Sequence, residues 1–208
     1  MIEATYIDHM GSDLSVVNAA RVSFGKKSEA FSEGDSKLIK YLAKHKHMSP
    51  FGHAFISVHV KAPIFVARQL VKHKFLRWNE ISRRYVADTP EIFTDTELRT
   101  AAEEIKQGSA GLHPKRGGLS SAIDKTNRKA LSLYRSMIKQ GVCPEQARMV
   151  LPQSTMTEWY WSGSLDAFAD MCKLRLKEDT QYETRLVAQQ VDEIIKPLFP
   201  VSWKELTK

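Results

Sequence analysis

The sequence lacks the features that mark several large classes of protein. Only two of its 208 residues are cysteines, Cys143 and Cys172, which excludes a disulfide framework and a Cys-x-x-Cys metal site. No apolar run approaches the ~18–20 residues that cross a membrane. The first residues, MIEATYIDHMGSD, have neither the basic start nor the apolar stretch of a secretory signal. We therefore expect a cytoplasmic protein, in a cell or an infected host.

Two catalytic motifs are missing as well. The pattern HExxH does not occur, and no His/Cys pairing suggests zinc, so no metal site is predicted. The pattern GxxxxGK[ST] is also missing, which excludes a phosphate loop of that kind.

The sequence does carry a clear excess of positive charge. Lys and Arg number 31 against 24 Asp and Glu, a net charge of +7 with neutral His. Such a surplus indicates an anionic partner: nucleic acid, nucleotide phosphates or a phosphorylated cofactor. The 42% apolar content is ordinary for a folded domain, and residues 1–208 are predicted to form one. A Gly/Ser/Lys-rich stretch at about 107–125 is predicted to be a loop inserted into it.

Apolar periodicity predicts a helix-rich α+β fold. Alternation in HAFISVHVK indicates a strand over 53–61, and Pro63 marks a helix start. Ser164 is expected to cap a helix to about Leu176. Thr180 and Glu183 have the spacing of a capping box. The remaining segments are a short helix running into a strand (13–24), helices (36–46, 126–140, 144–151 and the last one to about 195) and a turn (49–52).

The densest functional signal is the basic segment 68–84. It holds six cations and the single anion Glu80, and four polar side chains with other chemistry lie among them. If its first part is helical, Arg68 and Lys72 lie one turn apart, and a bound phosphate would offset their repulsion. A solvated basic face and a nucleic-acid-binding helix are the alternatives. The pattern alone does not choose among them.

Within this segment the sequence resembles a known family. Lys72-His73-Lys74, followed after seven residues by Ser82, is similar to the Arg-His-Arg…Ser signature of the flavin-dependent thymidylate synthases. Further similar blocks follow the family's order from about residue 13 to 190: DLSVVNAARVSF, HVKAPIFVARQ, EQARMVLP and Leu174-Arg175 with Gln181 and Glu183. The resemblance implies a single α+β domain with an antiparallel sheet flanked by several helices. It also implies a homotetramer whose active sites are shared between subunits.

The resemblance implies reductive methylation of dUMP to dTMP. Methylenetetrahydrofolate would donate the carbon, reduced FAD the hydride, and NADPH would reduce the flavin. No enzyme cysteine attacks the uracil in this family, which suits a chain whose two cysteines are expected to be structural. Activation must then be electrostatic, and a guanidinium that stabilises negative charge at N3 and O4 would provide it. By similarity that catalytic residue is Arg175.

The family's ligand positions carry over residue by residue. Those for dUMP are Gln69, Leu70, Val71, Lys72, Glu80, Ile81, Ser82, Arg83, Arg84, Arg148 and Arg175. Those for FAD are Ser49, Lys72, His73, Lys74, Glu80, Ser164, Asp166 and Asp170. On physical grounds Ser82, successive backbone N–H groups and Arg84 would form a phosphate cradle.

Two departures from the family pattern leave an alternative open. Lys72 and Lys74 stand where the family has Arg, which keeps the charge but loses the planar fork. Asp166 stands where an Arg is usual, which reverses the sign of the charge beside a diphosphate cofactor. These changes allow a diverged relative that makes another C5-modified nucleotide, such as hydroxymethyl-dUMP, or one that has lost flavin.

Overall fold

A computed structural model describes residues 1–95, 97–103 and 108–208. The strands are β1 (Glu3–Met10), β2 (Phe55–Pro63), β3 (Arg77–Glu80), β4 (Arg99–Ala101), β5 (Ser109–Leu112) and β6 (Met156–Ser164). The helices are α1 (Asp13–Arg21), α2 (Glu33–Lys44), α3 (Ile64–Leu70), α4 (Arg116–Lys139), α5 (Pro144–Ala147), α6 (Leu165–Arg175), α7 (Tyr182–Ile195) and α8 (Pro200–Leu206). Short 3₁₀ turns cover Val22–Phe24, Ser49–His53 and Arg148–Val150.

The centre of the fold is an antiparallel sheet in the order β1-β2-β6-β3. Alternate residues of β2 and β6 are buried, so one face of the sheet is apolar. Trp159 and Trp161 lie on that face. Helices α3, α6 and α7 pack against the sheet. The predicted α+β fold with an antiparallel sheet is confirmed.

Two predictions about local structure are wrong. Residues after α1 form a 3₁₀ turn, not a strand, and this turn ends at Gly25 with φ of 63°. The stretch at 107–125 is not a loop: Ser109–Leu112 is a strand and α4 begins at Arg116, while Gln107 lies outside the described residues. Tertiary contacts override the low helix propensity of its glycines, since the buried Ser120 hydroxyl donates to the Asp95 carbonyl at 3.0 Å.

The start of α7 also differs from the prediction. The helix begins at Tyr182 with Gln181 as its N-cap, so Thr180 and Glu183 form no capping box. Glu183 is instead buried and pairs with Arg99 of β4, a partner that no local pattern reveals. Among the described residues, none of the helices is long and apolar enough to cross a membrane.

Candidate active site

Arg175 lies at the C-terminal end of α6. Its side chain is held by hydrogen bonds to one residue of α3 and to one residue of the turn that follows α3. Its Nε–H group donates to Nε2 of His73 at 3.2 Å, and its Nη2 donates to the Gln69 carbonyl at 3.1 Å. These two contacts take up two of the five N–H groups of the guanidinium. Burial lowers the pKa of Arg175 below its usual value, yet a guanidinium keeps its charge. The side chain is therefore a fixed positive group.

The guanidinium lines a cavity of about 310 Å³, which we call the Arg175 cavity. Gln69, Lys177 and Gln181 also line it. The side-chain amide of Gln69 donates to that of Gln181, so helix α3 is tied to the start of α7. Leu70 is fully buried in the core, so the structure does not place it at the surface of this cavity.

His73 is the group with the clearest titration shift near this cavity. Burial, and then the positive charge of Arg175, lower its pKa to about 4, while Asp170 acts in the opposite direction. The ring is therefore neutral at pH 7, and its Nε2 is free of a proton and accepts from Arg175.

A second group of predicted residues surrounds another cavity, of about 300 Å³, at the end of β3. Glu80, Ile81, Ser82, Arg83 and Arg148 line this Ser82 cavity. Glu80 is held in place because Oε1 accepts from the Thr157 hydroxyl at 2.6 Å. Its Oε2 accepts from the Trp78 indole at 3.1 Å. Thr157 also lines this cavity, and no sequence pattern had identified it as a site residue.

The predicted phosphate cradle is only partly available at this cavity. The backbone N–H groups of Ile81, Tyr85 and Val86 already donate to carbonyl oxygens, so they cannot form a row of free donors. Cationic side chains provide the remaining donors. Arg84 lies 3.8 Å from the Glu145 carboxylate, and the Nε of Arg148 donates to the Glu145 carbonyl at 3.2 Å.

Helix α3 separates the two cavities. Its first residue, Ile64, lines the Ser82 cavity and its sixth, Gln69, lines the Arg175 cavity. At 1.5 Å per residue these positions are roughly 7.5 Å apart along the axis. The predicted dUMP residues that line a cavity therefore form two groups, one at each cavity. The others line neither cavity: Leu70, Val71, Lys72 and Arg84.

Segments that carry several of the predicted FAD residues approach one another at the end of β6, whereas Glu80 lines the Ser82 cavity. Phe75 and Leu76, which follow Lys74 in the chain, lie against Gly163, where a Cβ would overlap the Leu76 side chain and lie 3.3 Å from the Phe75 carbonyl oxygen. The Leu165 N–H donates to the Ala54 carbonyl at 2.9 Å, which joins α6 to the 3₁₀ turn that starts at Ser49. Only glycine at 163 permits this close approach.

The predicted FAD residues include both cations and carboxylates. Lys72 and Lys74 are exposed cations, while a carboxylate oxygen of Asp166 is buried without a hydrogen-bond partner. Asp170 forms an ion pair with Lys173 at 3.0 Å. Ser49 lines a groove of about 920 Å³ whose walls are largely apolar, between α1 and α2. Because a carboxylate oxygen only accepts hydrogen bonds, the unpartnered Asp166 oxygen suits a hydroxyl or N–H donor and not a phosphate.

The cysteines do not behave as nucleophiles. Cys172 is fully buried, and burial together with the charge of Asp192 raises the pKa of its thiol. Cys143 is exposed at the start of α5, outside both cavities. Within the described ranges no group of three or more His, Cys, Asp or Glu residues is placed to hold a metal ion.

Fold and site together define an α+β protein with two cavities that carry cationic side chains, neither of them lined by a cysteine among the described residues. Residues 5–201 match the family model "Thymidylate synthase complementing protein". A flavin-dependent thymidylate synthase from Thermus thermophilus is 40% identical, covering 95% of this chain and 72% of the relative. One from Kosmotoga olearia is 38% identical, covering 95% and 86%. The chain therefore belongs to the thymidylate synthase complementing protein family.

Solved structures agree with the sequence comparison. The crystal structure of a UMP/dUMP methylase PolB from Streptomyces cacaoi, bound with 5-Br dUMP, has a TM-score of 0.87 and 30% identity. The match covers 100% of this chain and 95% of that one. The alternatives are not favoured: the relatives carry one activity in their names, and a nucleic-acid-binding helix over 68–84 is wrong because α3 ends at Leu70.

Proposed function

We propose that this protein methylates dUMP at C5 to form dTMP, with methylenetetrahydrofolate as carbon donor and NADPH as reductant. The observation that carries the proposal is the clamped guanidinium of Arg175 at a cavity, in a chain without a usable cysteine nucleophile. The two clamping contacts leave the Nη1 end of the guanidinium for O4 and N3 of the uracil. Negative charge on these atoms makes C5 more nucleophilic, and a fixed guanidinium stabilises that charge.

The Ser82 cavity is assigned to the phosphate of dUMP. Ser82, Arg83 and Arg148 line this cavity and supply a hydroxyl and two permanent positive charges. Arg84, which lies near Glu145, would add a third charge from outside the lining. Charge-assisted hydrogen bonds from guanidinium groups suit phosphate oxygens. Glu80, held by Thr157 and Trp78, would accept from hydroxyl or N–H groups of the ligands.

The residues at the end of β6 fit FAD. Lys72 and Lys74 would hold the diphosphate, and the buried Asp166 oxygen would accept from a ribityl hydroxyl or a ring N–H. The reversed charge at 166 is then compatible with a flavin, because it meets a donor and not a phosphate. Reduced FAD bound here supplies the hydride.

We assign one active site to two copies of the chain, within a homotetramer. The Ser82 and Arg175 cavities lie at opposite ends of α3 and share no lining residue. In the proposed assembly a second copy brings its Ser82 cavity against the Arg175 cavity of the first. Each ligand segment also carries a large exposed apolar side chain: Phe75 (81%), Tyr85 (76%) and Met149 (72%). In the proposed assembly these side chains would be covered by the second copy. A cytoplasmic location stays a prediction from the sequence.

Product analysis tests this function. The purified protein would be incubated with dUMP, FAD, NADPH and methylenetetrahydrofolate, and the nucleotides analysed by mass spectrometry. A gain of one methyl group on dUMP is expected. A parallel reaction with UMP is included because the PolB neighbour is called a UMP/dUMP methylase. No product, or a hydroxymethyl product, contradicts the proposal.

A further inference from the structure

The imidazole of His73 has a partner that its family position does not suggest. Its Nε2 lies 3.2 Å from Nε of Arg175, a residue 102 positions further along the chain. The ring also meets Trp161 edge to face, with centroids 6.4 Å apart. The His73 ring thus contacts the buried Trp161 as well as the guanidinium of Arg175.

We propose that His73 is a positioning residue that orients Arg175 for the reaction, an inference that rests on the proposed function. The Nε and Nη2 atoms form one edge of the planar guanidinium. His73 and the Gln69 carbonyl together occupy that edge. The Nη1 end is left to face the substrate, and rotation about the last side-chain bonds is blocked.

The role requires a neutral imidazole with its proton on Nδ1. A protonated ring has no acceptor, and it would stand against the positive charge of Arg175. The charged groups around it are Arg175 and Asp170 from α6 and Lys72 and Lys74 on its own segment. Burial and Arg175 both keep the pKa of the ring low, at about 4, so the acceptor is present throughout the neutral range.

Two substitutions distinguish the role of the hydrogen-bond acceptor of His73 from the role of its ring. In His73→Gln, Oε1 can replace Nε2 as an acceptor, whereas His73→Leu has a similar size and no acceptor. We expect His73→Leu to lower kcat at least tenfold with little change in KM for dUMP and in flavin absorbance per subunit. His73→Gln should keep at least a third of the kcat. His9→Leu is the control, because His9 also has one polar partner but lies on β1, at the opposite edge of the sheet from β3.

Three results would overturn the inference. They are an unchanged kcat in His73→Leu, an equal loss in His73→Gln, and a loss of flavin absorbance that accounts for the lost activity in both. The last result would make His73 a flavin ligand instead.

A second readout is independent of turnover. Nuclear magnetic resonance of labelled histidines would follow the titration of His73 in the unsubstituted protein and in Arg175→Met. We expect a pKa near 4 that rises toward 6.5 when Arg175 is replaced, since its charge is one cause of the lowering. The same pKa in both proteins overturns the contact. An unsubstituted protein that forms no product contradicts the proposed function, and this titration then decides the inference alone.

Discussion

The Arg175 and Ser82 cavities bind charge in different ways. In the Arg175 cavity one cation is partly buried and held by two hydrogen bonds from a helix and a turn. At the Ser82 cavity the lining residue Arg148 is exposed, as is Arg84, which lies outside the lining, and both interact with Glu145. One chain supplies both hydrogen-bond partners that hold Arg175, whereas Arg84 and Arg148 remain exposed to solvent.

This difference matches two separate tasks. Stabilising charge that develops in a transition state needs a preorganised group in a site shielded from water. Holding a phosphate that is charged from the start needs several cations but less exact geometry. Substitutions in the first cavity should therefore affect kcat, and those in the second should affect dUMP affinity in a salt-dependent way.

The largest effect is expected for Arg175→Met. Loss of the guanidinium should lower kcat by about 10²–10³, the usual range for removal of a fixed charge-stabilising donor. Turnover of dUMP, measured by nucleotide mass analysis, checks the value. Arg128→Met is the matched control, because Arg128 is an exposed α4 cation paired with Asp124. A loss of activity below threefold in Arg175→Met would contradict the assignment.

A smaller effect is expected for Arg148→Met. This substitution should weaken dUMP binding about tenfold, or about 1.4 kcal/mol, and leave kcat nearly unchanged. Since Arg148 is exposed, the difference from the unsubstituted protein should shrink as ionic strength rises. Calorimetric titration with dUMP at low and high salt measures both. A drop in kcat with unchanged affinity would reverse the roles of the two cavities.

The pH dependence of stability sharpens the contrast further. The folded-state pKa of His73, about 4, lies below its ordinary value of 6.5. Between these two pH values His73 is protonated in the unfolded chain and neutral in the folded chain. The free energy of unfolding should therefore fall as pH drops from about 6.5 to 4. His73→Gln should show a shallower fall in urea denaturation, and parallel curves for the two proteins would contradict the shift.

The smallest effect is expected for Glu145→Gln. Without the carboxylate, Arg84 is released for the phosphate, so dUMP should bind about two- to threefold more tightly. The same titration measures this gain, and it should also disappear at high salt. Weaker binding would mean that Glu145 organises the cations rather than competing for them.

The sequence predicted those parts of the molecule that depend on local patterns. Alternation located β2 within two residues, and the helix after Ser164 was placed correctly. The later part of α4 was predicted as a helix over 126–140, but residues 116–125 were predicted as loop. Their glycines hide a helical segment that is stabilised by contacts such as that of Ser120 with Asp95. No local pattern could pair Glu183 with Arg99, which are distant in sequence.

The candidate site shows the same limit. The family signature selected Arg175, Gln69 and Ser82, and the structure places the first two in one cavity and the third in another. The contact of His73 with Arg175 joins residues of two elements that meet only in the folded chain. The role of Thr157 in holding Glu80 depends on the pairing of β3 with β6.

Subunit mixing tests the central claim, that each active site combines the two cavities of different copies. Arg175→Met would be co-expressed, under a separate tag, with the double variant Ser82→Ala and Arg148→Met, and the mixed oligomers purified. Activity is measured as kcat/KM for dUMP, which both variants lower. Random pairing of copies would make about a quarter of the sites intact, so we predict recovery of about a quarter of the unsubstituted kcat/KM. Activity no higher than the mean of the two variants would show that one chain contains the whole site, and would contradict the account.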